Sequence, residues 1–292
     1  MSRLEVLKTY KLYIGGKFPR TESGRYYTPE NKKGEKIANL CLSSRKDVKN
    51  AVVAARKVFA DWSSRSAFNR SQILYRIAEM MEGRKAQLVE ELVKADYTKK
   101  NAEQEVEKAI DRMVYYAGWC DKYTQVFSTV NPVASPHFNF SVPEPMGVIT
   151  IAAPEKSALL GLVSSIAPAI CGGNTCVVLA AEKYGHSAIT FAEIINDSDV
   201  PGGVVNLLTG KRGELLSHLS SHKDVNGMIY FGDDQKEQLL IKDEAVSNLK
   251  RVFCYGEKAV ADHQNPYPIL DLQEIKTTWH PIEKISAAGS GY

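Results

Sequence analysis

The sequence has 292 residues, of which 44% are hydrophobic and 24% charged, a balance typical of a globular protein with more than one structural unit. Its 37 basic and 34 acidic residues are spread along the chain, so the net charge of +3 predicts neither a nucleic-acid partner nor an acidic membrane partner. No apolar run approaches the roughly 20 residues that span a bilayer, and the N-terminus lacks the apolar core of a secretion signal.

The chain opens with an alternating apolar pattern, KLYIGGKF, which predicts a hairpin with its turn at Gly15-Gly16. Glycine adopts the positive φ of such a turn without steric cost. Tyr13 and Lys17 have the Y-x-x-x-K spacing of the catalytic pair in short-chain dehydrogenases, but that pair requires a helix, which two central glycines disfavour. We therefore interpret this segment as structural.

Three amphipathic helices are predicted next, over 47–62, 69–94 and 102–127, because apolar residues recur in each at helical spacing. The aromatic stripe of the third helix, which includes Tyr116, is interpreted as a packing surface rather than a ligand site. Together with the hairpin, these helices form a predicted N-terminal lobe over 1–130.

Residues 131–146 contain four prolines, which exclude a helix, around the alternating segment HFNFSV. Because the prolines lie at its ends, this segment predicts a short exposed strand, an arm for pairing with another subunit. A last strand, Ile269 to Pro281, is predicted within a terminal oligomerisation segment over 263–283. Residues 284–292 are predicted to be a flexible tail.

The stretch 144–210 alternates short, nearly continuous apolar runs with helices, a pattern that predicts a parallel sheet covered on both faces. The strands GMIYFG and LKRVFCYG, with helices before and after GMIYFG, extend the same sheet. We predict an α/β fold with a Rossmann-type parallel sheet, in which residues 147–262 form a nucleotide-binding-type domain. Sheets of this kind bind ligands at the carboxyl ends of their strands.

Self-contained catalytic motifs are scarce. His218 and His222 have a metal-compatible spacing on a predicted helix but no third ligand, so we interpret both as solvent-facing. Gly232 follows a predicted strand and precedes a helix start that would suit a phosphate, yet Asp233 and Asp234 occupy that start. Carboxylates there cap the helix themselves and repel a pyrophosphate, which predicts a capped helix without an anion. Five cysteines without a C-x-x-C pair favour reduced thiols and a cytoplasmic location.

The segments EPMGVITIAAP, APAICGGNTCVVLAAE and DVPGGVVNLLTG, in this order, resemble the nucleotide-binding domain of the aldehyde dehydrogenase superfamily. The LYIGGKF hairpin, the helical lobe and LQEIKTTW fit the same plan, so the resemblance covers roughly residues 10–282. More narrowly, the chain is similar to the short, degenerate C-terminal domain of family 16 proteins, in which a second copy of the fold follows a full-length one. The resemblance implies an NAD-binding fold whose arm and terminal strand serve oligomerisation.

The chain departs from the family pattern at the positions that carry catalysis. Active members hold a cysteine nucleophile on a separate catalytic domain, whereas YGEKAVADHQNPYPILDLQEIKTTW passes directly into the oligomerisation strand, so that domain is expected to be missing. Cys254 replaces the general-base Glu of E-L-G-G-K, and no partner histidine or oxyanion donor is recognisable beside it. Lys156 replaces the oxyanion-donating Asn of P-W-N-F-P. We therefore predict no catalytic residue.

The resemblance implies a degenerate set of cofactor residues: Pro154, Glu182, Gly203, Gly232 and Asp233. Glu182 keeps the ribose-binding carboxylate of K-P-S-E, but Leu179 replaces the Lys of that motif. Asp233 puts a negative charge where F-T-G-S has Ser. Each lost charged contact costs on the order of 1.5–3 kcal/mol. We therefore expect no tightly bound cofactor and no metal, with only weak NAD binding and an adenine site beside Gly203 and Glu182.

Two functions remain open. The first is a non-catalytic pseudoenzyme that acts in oligomerisation or as a scaffold, either as a homodimer or paired with an active aldehyde dehydrogenase domain. The alternative is an NAD(P)-dependent aldehyde oxidoreductase subunit whose activity needs a partner or an upstream active domain. Edge strands that are left unpaired favour aggregation. The presence of both HFNFSV and QEIKTTW therefore indicates that these strands are paired in an assembly, which favours the first function.

Overall fold

The computed structural model describes residues 6–259 and 264–282. Its strands are Thr9–Tyr10 (β1), Tyr26–Tyr27 (β2), Asn39–Cys41 (β3), Thr129–Asn131 (β4), His137–Pro145 (β5), Val148–Ala152 (β6), Thr175–Leu179 (β7), Val205–Leu208 (β8), Gly227–Phe231 (β9), Arg251–Tyr255 (β10) and Gln273–Pro281 (β11). Its α-helices are Arg45–Ser64 (α1), Ala67–Gly83 (α2), Lys85–Lys94 (α3), Lys99–Ala117 (α4), Tyr123–Phe127 (α5), Leu160–Cys171 (α6), Gly185–Asn196 (α7), Arg212–Ser220 (α8), Gln235–Ala245 (α9) and Tyr267–Asp271 (α10).

The central sheet is parallel, with the strand order β10-β9-β6-β7-β8. Every side chain of β6, β7, β8 and β9 is buried, as expected for strands covered on both faces. Successive residues point to opposite faces: Ile149 and Ile151 join the core formed with α6 and α7, whereas Val148 and Ala152 join the core formed with α1 and α8. The predicted α/β fold with a parallel sheet is confirmed.

Two of the three helices predicted for the N-terminal lobe are each divided into two shorter helices in the structure. The helix predicted over 47–62 is present as α1. The single helix predicted over 69–94 is wrong, because α2 ends at Gly83 and α3 begins after Arg84. The helix predicted over 102–127 is likewise divided into α4 and α5, and α4 is also followed by a glycine. Glycine weakens a helix because it loses the most backbone entropy on folding, which accounts for both positions.

The N-terminal turn forms as predicted. Ile14 and Lys17 exchange backbone hydrogen bonds of 2.9 and 3.1 Å, while Gly15 and Gly16 have φ values of +60° and +75°. Tyr13 bridges to β8, which holds the turn against the central sheet. Tyr13 and Lys17 therefore do not share a helix face.

A second, antiparallel sheet has the order β11-β5-β4. The predicted arm HFNFSV belongs to β5, which lies between two strands of its own chain rather than at an edge. The last strand, predicted from Ile269, begins instead at Gln273, because Tyr267–Asp271 forms the short helix α10, which follows Pro266. We call this three-stranded unit the outer sheet.

In the ranges that the structure describes, no helix combines the length and the apolarity needed to cross a bilayer. The predicted tail at 284–292, and residues 260–262 of the predicted nucleotide-binding-type domain, lie outside those ranges.

Candidate functional site

The carboxyl ends of the central strands meet at one edge of the sheet, which we call the carboxyl edge. Pro154 follows β6, Glu182 follows β7, and Gly232 with Asp233 follows β9. The structure thus brings four of the five sequence-predicted site residues to the same edge. Pro154 and Gly232 are buried, Glu182 is half-buried and Asp233 is exposed.

Gly203 does not join this group, because it precedes β8 and so lies at the opposite, amino end of the strands. Its φ of +108° is one that other residues rarely adopt, and a Cβ there would lie 2.7 Å from the carbonyl oxygen of Ala54 in α1. The expected adenine site shared by Gly203 and Glu182 therefore does not fit the structure. Gly203 instead allows α1 to pack closely against the turn before β8.

The loop after β6 is held by a carboxylate from the loop after β10. The two side-chain oxygens of Glu257 accept hydrogen bonds from the backbone amides of Glu155 and Lys156, each at 3.1 Å. Glu257 is buried, whereas the Lys156 side chain is exposed. The two amides that open this loop are therefore already bonded to an anion of the chain itself.

A second carboxylate occupies the start of α6. Oε1 of Glu105, from α4, accepts hydrogen bonds from the Ser157 hydroxyl at 2.8 Å and from the amides of Leu159 and Leu160 at 3.2 and 3.1 Å. The N-terminus of a helix attracts anions through its unpaired amides and its dipole. Here Glu105 supplies that anion.

Arg212, at the start of α8, lies across the carboxyl edge. Its Nε is 2.9 Å from Oε1 of Glu155, its Nη1 is 3.8 Å from Oε2 of Glu237, and its Nη2 donates to the carbonyl oxygen of Ala153. The guanidinium also packs 5.3 Å from the centre of the Tyr230 ring, a cation–π geometry. Arg212 thereby joins α8 to the loop after β6, to β9 and to α9.

Glu155 and Tyr230 complete this network. Oε2 of Glu155 accepts the amide of Glu182 at 2.9 Å, and the Tyr230 hydroxyl donates to Glu237 at 2.5 Å. Burial raises the pKa of Glu155, and Arg212 opposes that shift. Burial also raises the pKa of Tyr230, and the hydrogen bond to Glu237 adds to this. Glu182 thus contributes its backbone amide to the network.

The predicted capping of α9 is present. Oδ1 of Asp234 accepts the amides of Lys236 and Glu237 at 2.7 and 3.3 Å, while Asp233 accepts the amide of Glu257 at 3.4 Å. Gly232 lies directly under the Tyr230 ring, where a side chain would collide with the phenol. The first turn of α9 is therefore bonded to a carboxylate of its own chain, as it is at α6.

The phosphates of a dinucleotide require free amides and positive charge at such an edge. Carboxylates of the chain already bind the amides after β6, after β7 and at the starts of α6 and α9, as described above. A phosphate placed there would have to displace these carboxylates and approach their charge. The amides of this edge are therefore bonded to carboxylates of the chain itself.

Cys254 lies on β10 and is half-buried. Burial raises its pKa, and Lys242 only partly opposes this shift. A reactive cysteine needs the opposite environment, one that stabilises the thiolate. As for metals, the described residues contain no group of three or more His, Cys, Asp or Glu side chains that could hold an ion, so His218 and His222 gain no third ligand among them.

Sequence motifs did not identify three of the residues that shape the carboxyl edge. Glu105 is on a helix of the N-terminal lobe, more than fifty positions from the amides it binds, and no local pattern marks it. Arg212 and Glu257 follow β8 and β10, so their position after predicted strands was a usable signal.

Comparison with known proteins gives a consistent family pattern. A family model described as "Aldehyde dehydrogenase family" matches residues 19–255. The protein DhaS of Bacillus subtilis (strain 168) is 33% identical over 84% of this chain and 50% of its own length. The "Cytosolic 10-formyltetrahydrofolate dehydrogenase" of Mus musculus is 32% identical over 86% of this chain and 29% of its own length.

Solved structures agree with the fold. Aldehyde dehydrogenase C from Pseudomonas syringae, a variant in complex with NAD+ and octanal, superposes with a TM-score of 0.78 at 28% identity, over 85% of this chain and 50% of that one. HpcC from Thermus thermophilus gives a TM-score of 0.80 at 27% identity, over 85% of this chain and 48% of that one. This chain thus spans half, or less, of the length of each of these proteins.

Proposed function

Because the chain belongs to the aldehyde dehydrogenase family, we propose that it is a non-catalytic member of that family, a pseudoenzyme whose role is assembly. It would act as a scaffold, paired with a second copy of itself or with an active aldehyde dehydrogenase domain. The narrower likeness to the C-terminal domain of family 16 proteins and the cytoplasmic location form part of the same proposal.

The observation that carries the proposal is the bonding of the carboxyl edge to its own carboxylates. Glu257, Glu105, Glu155 and Asp234 bind backbone amides that a dinucleotide phosphate would need. Displacing charge-assisted hydrogen bonds costs on the order of 1.5–3 kcal/mol each. Two such losses are enough to weaken a micromolar ligand to about millimolar affinity. We therefore expect NAD to bind weakly.

The path of the chain after β10 supports the same proposal. The family match ends at residue 255, where β10 ends, and residues 256–272 lead directly to β11 on the outer sheet. The resemblance implies a separate catalytic domain, with its cysteine nucleophile, after the nucleotide-binding domain. A connection of this length leaves no room for such a domain.

The outer sheet supports an assembly role because it exposes apolar side chains on both faces. Val130 and Phe138 are 68% and 46% exposed on one face, and Ile275 and Trp279 are 53% and 56% exposed on the other. Within the described residues, β11 pairs on one side only, so its second edge is open. A strand with an open edge and exposed apolar side chains is stabilised by pairing with another chain, and a second copy is the occupant we propose.

One observation favours the second candidate, an NAD-dependent oxidoreductase subunit that needs a partner. The similar aldehyde dehydrogenase C was solved with NAD+ and octanal bound, which makes NAD a ligand to test for this chain as well.

An NAD titration by calorimetry, an assay of NADH formation with aliphatic aldehydes and a native-mass measurement separate the two candidates. We expect no saturation at micromolar NAD, no aldehyde-dependent NADH, and a dimer. Saturable micromolar binding would support the oxidoreductase subunit instead, and turnover lost in Cys254→Ala would overturn the non-catalytic proposal. A monomer at all concentrations would overturn pairing with a second copy.

A further inference from the structure

A cavity of about 510 Å³ lies between α1, α8 and the end of α9, away from the carboxyl edge. Ligand pockets for small molecules are commonly of this size. Its charged and titratable lining consists of Arg45, Lys49, His218, His222, Lys223 and Glu244. We call this cavity the basic pocket.

Three cations of the basic pocket are not neutralised. In the part of the chain that the structure describes, Arg45, Lys49 and Lys223 have no carboxylate within ion-pair distance. Their neighbours differ: Lys46 pairs with Glu22 at 2.7 Å, for example. Unpaired cations around one concavity create a positive potential that attracts anions.

The carboxylate of the lining, Glu244, lies at one wall, where it accepts the Ser217 hydroxyl at 3.2 Å. Lys250, which is buried, donates from Nζ to the carbonyl oxygens of Ser220 and His222, the latter at 3.0 Å. Burial lowers the pKa of Lys250 to about 8, although Glu244 opposes this shift. The positive charge near the pocket thus exceeds the negative charge.

His222 adds a defined donor. Its Nδ1 accepts the amide hydrogen of Asp224 at 3.2 Å, so the ring proton is on Nε2. Burial lowers the pKa of His222, and Lys250 and Lys49 lower it further against the effect of Asp224. The neutral ring of this pocket-lining residue therefore carries an N–H donor on Nε2, and a bound anion would stabilise its protonated form.

We propose that the basic pocket binds a small molecule whose phosphate oxygens carry two or more negative charges. Guanidinium, ammonium and imidazole N–H groups are the donors that bind phosphate oxygens. Several unpaired cations favour multiply charged phosphates over a single carboxylate. The site is separate from the carboxyl edge, because it uses the end of α8, whereas Arg212 at the start of that helix joins the carboxyl edge.

Calorimetric titration of the 292-residue chain with inorganic pyrophosphate, at constant ionic strength, tests the proposal. We expect saturable one-to-one binding that weakens by about tenfold or more in Lys49→Glu, through loss of an attraction and gain of a repulsion. Lys57→Glu is the matched control, since it makes the same charge change at an exposed position of the same helix. It is expected to change the affinity less than about twofold, because Lys57 lies eight positions after Lys49 on the helix and screening weakens the effect of the more distant charge.

Two further measurements sharpen the test. Glu244→Gln is expected to tighten pyrophosphate binding, because it removes a like charge from the wall while keeping an acceptor for Ser217. In NMR titrations, pyrophosphate is expected to raise the pKa of His222. Parallel titration with ribose 5-phosphate distinguishes the occupant: tighter binding than pyrophosphate identifies a phosphate ester, and weaker binding an inorganic polyphosphate. Equal losses in Lys49→Glu and Lys57→Glu, or no saturation by about 10 mM, would overturn the proposal.

Discussion

Arg212 and Glu155 form an ion pair of 2.9 Å across the carboxyl edge, with the Arg212 side chain only 12% exposed. The pair connects the loop after β6 with the start of α8. Burial raises the pKa of Glu155, and the guanidinium of Arg212 is the largest influence that opposes this shift.

Arg212→Ala should lower the free energy of unfolding by about 1–3 kcal/mol at pH 7, because it leaves a largely buried carboxylate without its cation. The pKa of Glu155 should then rise further. Chemical denaturation measures the change. Arg25→Ala is the control: Arg25 forms an exposed pair with Glu214, and its loss should cost less than about 1 kcal/mol. Equal costs for the two variants would contradict a special role for Arg212.

Ile275→Lys should shift the protein from dimer toward monomer, because it places a charge on the apolar face of the outer sheet that we propose to be covered. Sedimentation velocity across a concentration series measures the shift. Leu239→Lys, at a 61% exposed position of α9, makes a comparable change away from that sheet and should leave the profile unchanged. An unaltered profile for Ile275→Lys would count against pairing through β11.

Gly203→Ala should destabilise the fold by about 2–4 kcal/mol through backbone strain and overpacking against Ala54. Gly213→Ala is a suitable comparison, since nothing lies within 4 Å of its added methyl group and it is on α8. That change should be neutral or stabilising by up to about 1 kcal/mol. Thermal unfolding compares the two, and a stable Gly203→Ala protein would refute the packing role.

Glu91→Gln should make stability less dependent on pH. Burial raises the pKa of Glu91 above its ordinary value of 4.5, against hydrogen bonds from Thr190 and Tyr10, and its Oε2 has no hydrogen-bond partner in the described chain. Between the ordinary and the raised value the folded state binds more protons than the unfolded state, so wild-type stability falls as pH rises through the raised value.

The variant should therefore be more stable than wild type at about pH 8, with a gap that closes as the pH approaches the ordinary value of 4.5. Urea denaturation across this range measures the gap. Glu90→Gln, one position away on α3 and exposed beside Lys94, should show no such convergence. If the difference in the free energy of unfolding between wild type and Glu91→Gln stayed constant with pH, titration of the Glu91 carboxylate would not be the cause of the pH dependence.

Periodicity was sufficient to predict the central sheet, because strands buried on both faces must be apolar throughout, as Val148–Ala152 and Thr175–Leu179 largely are. The turn at Gly15-Gly16 was predictable for an equally local reason, since few other residues accept its φ values. The helix end at Gly83 was visible as a glycine but was outweighed by the apolar pattern that continues beyond it.

The candidate site was harder to predict, since its main contacts join distant parts of the chain. Glu105 meets amides of α6 only because α4 packs against α6, a tertiary arrangement that no spacing in either segment records. The position of Gly203 was misjudged although it was predictable: DVPGGVVNLLTG places this glycine before its strand, and so at the amino end of the sheet. Asp234 was predictable because capping is local.

The connection between β10 and β11 is tied at both ends. The Tyr255 hydroxyl donates to Asp271, and Arg251 donates to the carbonyl oxygen of Gln273 at 2.6 Å. Because hydrogen bonds hold its two ends together, this connection is a position where an additional domain could be inserted while both sheets keep their pairing. Each doubling of such a loop costs only about 0.6 kcal/mol in closure entropy, so insertions of very different length should be tolerated there.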